Sequence, residues 1–485
     1  MKMNRYFNMI SLIAIVTLLA TSCSNLFPRV TPTGMPQYEY DYRQPEETGD
    51  GWKSSSLQKE GISANKISQL MKRILEGEYK NIHSILIVKN GKLVLEEYFY
   101  GYRKDKKHQL RSATKSVTST LIGIAIDHGK IKNVDEKLSQ FFPEYKSIDW
   151  SVPKNEITLK NVLTMSAGLD WNEWTYSDSD SRSSSYNMVR SNDWIEFVLK
   201  RKMVEIPGKV FNYSSGLSLV LGKIIKNNTG YGANEFAKTF LFDPLGIDDF
   251  SWKSSSTGMV YTSGGEKGLM LKPRDMAKIG LLFLNKGKWN DRQVVSSTWV
   301  AESTKPHIDA FFAGSEYGYQ WWRGEKSFSD RKIEVFYAAG HGGQYIFVCP
   351  ALDLVTVFTS QVHGNPLGVV RPQVIMVEHV LPAMVPLPET TILPGETNVA
   401  SLAIYVGEYE NELLEINLKI IAESGRLYCK LFMKKAEMHY RLNDRFSGRL
   451  DNVGNIELCF DRSKNYGIDK VTAKIGFGIL QFNKK

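Results

Sequence analysis

Four prolines crowd one short stretch towards the C-terminal end of the chain, at Pro382, Pro386, Pro388 and Pro394. Proline fixes φ and lacks the backbone N–H donor, so neither a helix interior nor a central strand accommodates such a run. The stretch therefore predicts a domain boundary, with a linker over residues 382–398. It separates a long region, residues 61–381, from a C-terminal region, residues 399–485.

The composition of the 485 residues is that of a globular protein, with 42% hydrophobic and 23% charged residues. It excludes a disordered chain and a polytopic membrane protein, and at ~100–200 residues per domain it predicts two or three domains. The net charge of +9 is spread along the chain, so no nucleic-acid partner is expected. Four cysteines are too few for a disulfide scaffold. Cys429 and Cys459 could pair or remain buried thiols.

The first 22 residues predict a secretory signal peptide. Lys2 and Arg5 precede an apolar run from residue 7 to residue 20 that is short for a transmembrane helix. The stretch that ends at Cys23 is similar to the lipobox of bacterial lipoproteins, although Ala20 stands where that motif usually has Leu. We therefore expect export to a bacterial cell envelope and a membrane anchor through lipid on Cys23. Simple cleavage beside an incidental cysteine is the alternative.

Residues 23–60 are polar and rich in turn-forming residues, which predicts a tether or a surface-wrapping arm. In the region that follows, Asn90-Gly91 between two β-rich runs predicts a tight hairpin. Periodicity and capping residues predict helices near 64–75, 116–128, 157–166, 193–200, 216–226, 233–241 and 273–284. Strand-like runs at 345–348 and 354–358 place strands at both ends of the region, so the expected fold class is α+β. Short alternating runs beyond residue 399 predict a small antiparallel β domain.

One motif in the sequence indicates catalytic chemistry. The sequence has no His-Glu-x-x-His or paired Cys-x-x-Cys, no phosphate-binding loop and no Gly-x-Ser-x-Gly, so neither a metal nor an organic cofactor is expected. Ser-x-x-Lys occurs five times, beginning at Ser56, Ser63, Ser112, Ser151 and Ser329. Only the copy at Ser112 continues into a long apolar helix, which would bury Lys115 beside the serine hydroxyl. A desolvated lysine can serve as the base for a serine nucleophile.

Further landmarks follow in order, namely Ile157 to Leu169, Pro207 to Gly216, Phe242 to Gly246, Gly264 to Asp275, and His341-Gly342-Gly343. With Ser112-Ala113-Thr114-Lys115 they resemble the serine β-lactamase-like hydrolases, in particular the branch related to class C β-lactamases, over about residues 60–380. The resemblance implies a β-lactamase/transpeptidase-like domain, with an antiparallel sheet flanked by helices and an all-helical region. It also implies a lipocalin-like C-terminal barrel.

The resemblance also implies roles for individual residues. Ser112 would be the nucleophile, Lys115 its base, and Tyr213 the group that relays a proton to the leaving group. The backbone amides of Ser112 and Gln344 would form the oxyanion hole. The chain departs from the β-lactamases at two positions, because Ser215 replaces an Asn and His341 replaces the Lys of Lys-Thr-Gly.

Both departures weaken recognition of a β-lactam and favour ester or amide substrates. Ser215, His341, Gly342 and Gly343 are expected to contact the substrate. Trp171 and Trp321 are candidates for an aromatic substrate wall, with core packing as the alternative.

The expected function is therefore a serine hydrolase that cleaves a small ester, amide or peptide by two-step acyl transfer through a Ser112 ester. One alternative is a D-amino-acid peptidase or carboxypeptidase that acts on cell-wall peptides. Another is a non-catalytic, penicillin-binding-like envelope protein that keeps the fold as a receptor.

Overall fold

The computed structural model describes residues 29–30, 36–37, 40–173, 175–176, 180–310, 315–328, 331–361, 372–384, 405–411, 416–423, 426–431, 434–440, 445–450, 454–462, 468–475 and 478–484. The predicted signal peptide, Cys23 and the linker beyond Met384 lie outside these residues.

An antiparallel sheet forms the centre of the first domain. Within the described residues it has eight strands, β1 (Ile82–Lys89), β2 (Lys92–Tyr98), β3 (Ile308–Asp309), β4 (Ser315–Tyr317), β5 (Trp322–Phe328), β6 (Arg331–Gly340), β7 (Gln344–Cys349) and β8 (Leu354–Ser360). Their spatial order is β2-β1-β8-β7-β6-β5-β4-β3. The first strand of the domain therefore pairs with the last, which brings the two ends of the domain together.

The predicted hairpin joins β1 to β2. Asn90 and Gly91 both have positive φ, 52° and 72°, as a type I′ turn requires. Lys89 pairs with Lys92 across this turn, and a register shift follows at Ile87 and Val88. The hairpin prediction is confirmed, with strands longer than the runs that indicated them.

Helices surround the sheet. They are α1 (Ala64–Leu75), α2 (Thr114–Asp127), α3 (Leu159–Leu163), α4 (Ser184–Arg190), α5 (Trp194–Leu199), α6 (Ser215–Thr229), α7 (Ala233–Ala237), α8 (Pro273–Leu284), α9 (Ser297–Ser303) and α10 (Leu381–Met384). Short 3₁₀ or π turns cover Arg111–Ala113, Leu138–Phe141, Lys154–Glu156, Lys238–Phe242, Pro350–Leu352 and Met376–Val380. Two-residue strand pairs join Arg29–Val30 to Pro36–Gln37, His108–Gln109 to Met270–Leu271, and Lys288–Trp289 to Arg292–Gln293. The fold is the predicted α+β arrangement.

Both faces of the sheet are buried, because side chains alternate along each strand. Leu86 and Val88 point into a large core shared with α2, α6 and α8, whereas Ile85 and Ile87 point into a second core with α1. Helix α8 packs closely because Gly280 has no side chain, and a Cβ built there would lie 2.5 Å from Val355. Because both faces of the sheet are buried, a strand such as β1 carries a continuous run of apolar residues.

The N-terminal arm is part of the first domain from residue 40 onwards. Trp52 is buried in the large core, and the Tyr42 hydroxyl donates to the Val94 carbonyl over 2.9 Å. The buried Arg274 guanidinium needs acceptors, and the arm supplies the Glu46 carbonyl and the Asp50 carboxylate. Tyr42, Glu46 and Asp50, which belong to the segment expected to be a tether or wrapping arm, thus contact the first domain directly.

Pro382, the first residue of the expected linker, lies in α10. The preceding turn, Met376–Val380, is π-helical, so the regular spacing of helix hydrogen bonds is already altered before the proline. Leu381 and Met384 are buried, and the Ser63 N–H donates to the Ala383 carbonyl over 3.0 Å. Residues 382–384 therefore belong to the first domain.

The C-terminal domain is a closed antiparallel barrel. In the described residues its strands are β9 (Gly407–Asn411), β10 (Ile416–Glu423), β11 (Arg426–Leu431), β12 (Lys434–Tyr440), β13 (Arg445–Leu450), β14 (Gly454–Arg462), β15 (Ile468–Ile475) and β16 (Gly478–Lys484). Each strand pairs with the next along the chain, and β16 closes on β9, as in an up-and-down barrel. Cys429 and Cys459 are not joined by a disulfide, and burial raises the pKa of Cys429 to about 12.

Arg449 and Asn455 of the barrel contact the first domain. Arg449 donates to Glu78 and to Glu378, each over 3.1 Å, and the Asn455 N–H donates to the other Glu378 oxygen.

None of the helices in the described part of the chain has the length and apolar character needed to cross a membrane.

Candidate active site

Ser112 lies in a short 3₁₀ turn, Arg111–Ala113, that leads directly into α2. Arg111 has φ 51°, a left-handed conformation that costs energy for a residue with a side chain. Two glycines press on this turn. A Cβ built on Gly264 would lie 2.2 Å from the Arg111 carbonyl oxygen, and one built on Gly340 would lie 2.2 Å from the Leu110 oxygen. The backbone around Ser112 is thus held between two other segments.

Lys115 is one turn further along α2 and is 1% exposed. Its Nζ lies 3.2 Å from Ser112 Oγ, 3.2 Å from Ser215 Oγ and 2.6 Å from the Ser263 carbonyl oxygen. The burial expected from the apolar helix is confirmed. Three fixed partners hold the amine beside the Ser112 hydroxyl.

Tyr213 is buried next to Lys115, whose Nζ lies 5.0 Å from the centre of the phenol ring. Its position follows from the start of α6, where the Ser214 side chain caps the helix by accepting from the Leu217 N–H. The Tyr213 ring stacks on Trp322, with centroids 6.0 Å apart. Ser112, Lys115 and Tyr213 are therefore brought together, as the motifs predicted.

Ser215 does not simply face a substrate cleft. Its Oγ accepts from Lys115 and donates to Glu173 Oε1 over 2.8 Å, while its N–H donates to Glu173 Oε2 over 2.8 Å. Trp171 is buried, and its indole N–H donates to Glu173 Oε2 over 2.7 Å. The polar hydrogens of Ser215 and Trp171, both expected to contact the substrate, are thus directed to Glu173.

Glu173 itself was not among the residues predicted for the site. It lies shortly after Leu169, where the Ile157 to Leu169 landmark ends, and belongs to no motif. The one sequence signal is a carboxylate between Trp171 and Trp174 in a segment already assigned to the site.

The turn between β6 and β7 carries the glycine pair. Gly342 and Gly343 have φ 84° and 97°, which favours glycine at both positions, and the Gly343 N–H donates to the Gly340 carbonyl. The His341 side chain is exposed. The Gln344 side chain is buried and exchanges hydrogen bonds with the Ser360 backbone, which fixes the start of β7. Because Gly340 touches Leu110, this turn lies beside the Ser112 segment.

Trp321 is not a substrate wall. It is 0% exposed and packs on Phe283 and Phe336, with ring centroids 4.4 and 5.6 Å away. Adjacent residues of an extended chain point to opposite sides, so Trp322 rather than Trp321 reaches Tyr213. Trp322 also meets Tyr317 edge to face, and burial raises the pKa of Tyr317 well above its usual value.

Across the described ranges, no three His, Cys, Asp or Glu side chains converge where they could hold a metal ion.

Comparison with known proteins shows which family the chain belongs to. The family model described as Beta-lactamase matches residues 68–378. The chain is 28% identical over 302 residues to the 6-aminohexanoate-dimer hydrolase of Paenarthrobacter ureafaciens, a match that covers 57% of this chain and 72% of that protein. It is 29% identical over 227 residues to protein flp of Staphylococcus aureus strain NCTC 8325 / PS 47, covering 43% of this chain and 44% of flp.

Among solved structures, the octameric penicillin-binding protein homologue from Pyrococcus abyssi superposes with a TM-score of 0.53 at 18% identity. The superposition covers 87% of this chain and 99% of that one, and it shows a shared fold. The family model spans well over half of the chain and includes the Ser112 turn, Lys115, Tyr213 and the glycine turn. The chain therefore belongs to the β-lactamase family and is a serine hydrolase of amide or ester bonds.

Proposed function

We propose that the chain cleaves its substrate by two-step acyl transfer through Ser112. The single observation that carries this proposal is the Lys115 amine, buried and 3.2 Å from Ser112 Oγ. In the first step Ser112 Oγ passes its proton to Lys115 and attacks the substrate carbonyl carbon, and the bond to the leaving group breaks. Tyr213 relays a proton to that leaving group. Water then hydrolyses the Ser112 ester and restores the free hydroxyl.

The carbonyl oxygen gains negative charge during attack, and we assign its stabilisation to the backbone N–H groups of Ser112 and Gln344. Two features support this assignment. Ser112 N–H lies at the start of α2, and the Gly340 contact with Leu110 brings the β6–β7 turn beside the same segment. The buried Gln344 side chain holds the start of β7 in place.

The substrate class we propose is a small linear amide, ester or peptide rather than a β-lactam. The relative from Paenarthrobacter ureafaciens is a 6-aminohexanoate-dimer hydrolase, which supports a linear amide. The Ser215 hydroxyl is already used by Lys115 and Glu173, and His341 stands where β-lactamases have a lysine. Neither position supplies what a β-lactam amide and carboxylate would need.

The decisive experiment is intact-mass detection of an adduct on Ser112 with a fluorophosphonate, together with turnover of p-nitrophenyl esters and 6-aminohexanoate dimers. Ser112→Ala should lose both labelling and turnover. Ser119→Ala is the matched control, because Ser119 is buried in the same helix and its hydroxyl has no hydrogen-bond partner among the described residues. Equal labelling of wild type and Ser112→Ala would reject the mechanism. Release of D-Ala from a muropeptide without turnover of the linear amides would instead support a cell-wall peptidase.

For localisation we propose export to the cell envelope and lipid attachment at Cys23. The support is the sequence pattern of residues 1–23 alone. Cys23→Ala should move the protein from the membrane fraction to a soluble fraction, and a lipid mass should be present on Cys23 of the wild type only. Absence of that mass from the membrane-bound protein would reject the anchor.

A further inference from the structure

Glu173 has an unusual number of fixed donors for a half-buried carboxylate. Its Oε1 accepts from the Ser215 hydroxyl, and its Oε2 accepts from the Ser215 N–H and from two side chains. These two are the Trp171 indole and the Ser185 hydroxyl, each 2.7 Å away. Donors on three separate segments, before α4, in α4 and at the start of α6, therefore converge on one carboxylate. Such convergence fixes the position of the carboxylate relative to α6.

For Lys115 to act as the base in the proposed step, its Nζ must present a lone pair to the Ser112 hydroxyl, whose oxygen is 3.2 Å away. The two amine hydrogens go to the Ser263 carbonyl and to Ser215 Oγ, at 2.6 and 3.2 Å. The Ser215 hydroxyl proton goes to Glu173. Every donor then has one acceptor, and Ser112 is connected to Glu173 through Lys115 and Ser215.

The charge on this chain changes during acylation. When Ser112 attacks, its proton moves to Lys115 Nζ, and a neutral amine becomes an ammonium in a site from which water is largely excluded. A buried cation is costly unless a negative charge lies near it. Among the residues that the Lys115 amine reaches through one hydroxyl, Glu173 supplies that charge.

We propose that Glu173 is a positioning residue for this reaction. Its carboxylate turns the Ser215 hydroxyl so that the oxygen lone pair faces Lys115, and its charge stabilises the Lys115 ammonium formed as Ser112 attacks. The proton stays on Lys115 and is not passed on to Glu173. The arrangement has the logic of a catalytic triad, in which a buried acid orients the base and stabilises its protonated form. This inference rests on the proposed acyl transfer through Ser112.

The test compares Glu173→Gln with Ser215→Ala and the double variant. Glu173→Gln keeps the side-chain size and removes the charge, so the acylation rate constant should fall about 10- to 100-fold with little change in KM. In the Ser215→Ala background the link to Lys115 is already cut. The same Glu173→Gln change should then cost less than about threefold, because coupled residues are not additive. Equal losses in both backgrounds would show that Glu173 acts only through the fold and would overturn the proposal.

Two controls separate the possible failures. Glu205→Gln changes an exposed carboxylate on a nearby loop and should keep wild-type rates. If Ser112→Ala retains full turnover, the proposed function itself fails. If Ser112→Ala is inactive and Glu173→Gln acylates at the wild-type rate, only the role of Glu173 is rejected. Thermal unfolding of each variant confirms that the rates refer to folded protein.

Discussion

Gly264 lies against the carbonyl of Arg111, the residue that precedes the proposed nucleophile. A Cβ at Gly264 would meet the Arg111 oxygen at 2.2 Å and the Ser112 nitrogen at 2.9 Å. The next residue towards the N-terminus, Ser263, accepts from Lys115 through its carbonyl. One short segment thus shapes the Ser112 turn and holds the base, which explains why the Gly264-Gly265 landmark accompanies the Ser-x-x-Lys motif.

Gly264→Ala should therefore abolish most activity. The new methyl group must push the Ser112 backbone, and a displacement of about 1 Å in an active site can cost on the order of 100-fold in rate. Gly258→Ala is the matched control, because Gly258 has a similar positive φ of 80° but nothing within 4 Å of its Cβ position. Gly258→Ala should lose about 1 kcal/mol of stability from backbone strain, and Gly264→Ala should lose more, because its Cβ also meets backbone atoms. Ester turnover of the folded variants tests this prediction. An equal loss of activity in the two variants would contradict it.

Arg449→Ala should weaken the attachment of the barrel. Arg449 pairs with Glu378, whose side chain is 7% exposed, and its removal leaves that carboxylate without its barrel cation. Arg449 is itself 40% exposed, but loss of the partner of a buried carboxylate costs more than loss of a partner in a fully exposed pair. We expect faster protease cleavage between the domains and a lower melting temperature. Arg426→Ala, which removes an exposed barrel pair with Glu437, should leave both unchanged. If Arg449→Ala and Arg426→Ala had the same protease cleavage rate and the same melting temperature, the role of Arg449 in attaching the barrel would be rejected.

Local signals were sufficient for much of the fold. Helix α1 begins after Ser63, whose side chain caps it, and α8 begins at Pro273, so both helices have the bounds that the sequence predicted. Helices α4 and α9 were not predicted. Strands β5 and β6 were not predicted either, since charged residues such as Arg323 and Glu334 occupy their outer positions and break the apolar pattern.

Some residues of the candidate site could be predicted from the sequence and others could not. Ser112, Lys115 and Tyr213 could be found because each belongs to a short motif. Glu173 could not, because its main partner, Ser215, is distant in sequence and only the fold brings the two together. An aromatic run shows that large side chains are present but not which of them faces the site, which is why Trp321 was chosen instead of Trp322.

The pair His83 and His108 should make the fold sensitive to mild acid. His83 Nδ1 and His108 Nε2 lie 2.9 Å apart, and burial lowers the pKa of each histidine to about 4. The unfolded chain keeps a pKa near 6.5 and therefore binds more protons between pH 6.5 and 4. The free energy of unfolding should fall as the pH drops through that window.

Urea unfolding at several pH values measures this effect. His83→Phe keeps an aromatic ring to stack on Tyr102, which lies 4.0 Å from the His83 ring, but it cannot titrate. The variant should be less stable than the wild type at pH 7, because His108 loses a hydrogen-bond partner, and its stability should depend less on pH below 6.5. A wild-type slope retained in the variant would exclude the pair as the cause.

Lys326 predicts a pH dependence of the same sign, but in the alkaline range. It is 6% exposed on β5, its Nζ donates to Gln373 over 2.7 Å, and burial lowers its pKa to about 8. The unfolded chain, with lysine near 10.5, binds more protons between pH 8 and 10.5, so stability should rise with pH across that range. Lys326→Met removes the titrating group and should lose that rise, while turnover stays unchanged. Urea midpoints of the two proteins at pH 7.5 and 9.5 give the comparison, and the same rise in both would exclude Lys326 as its source.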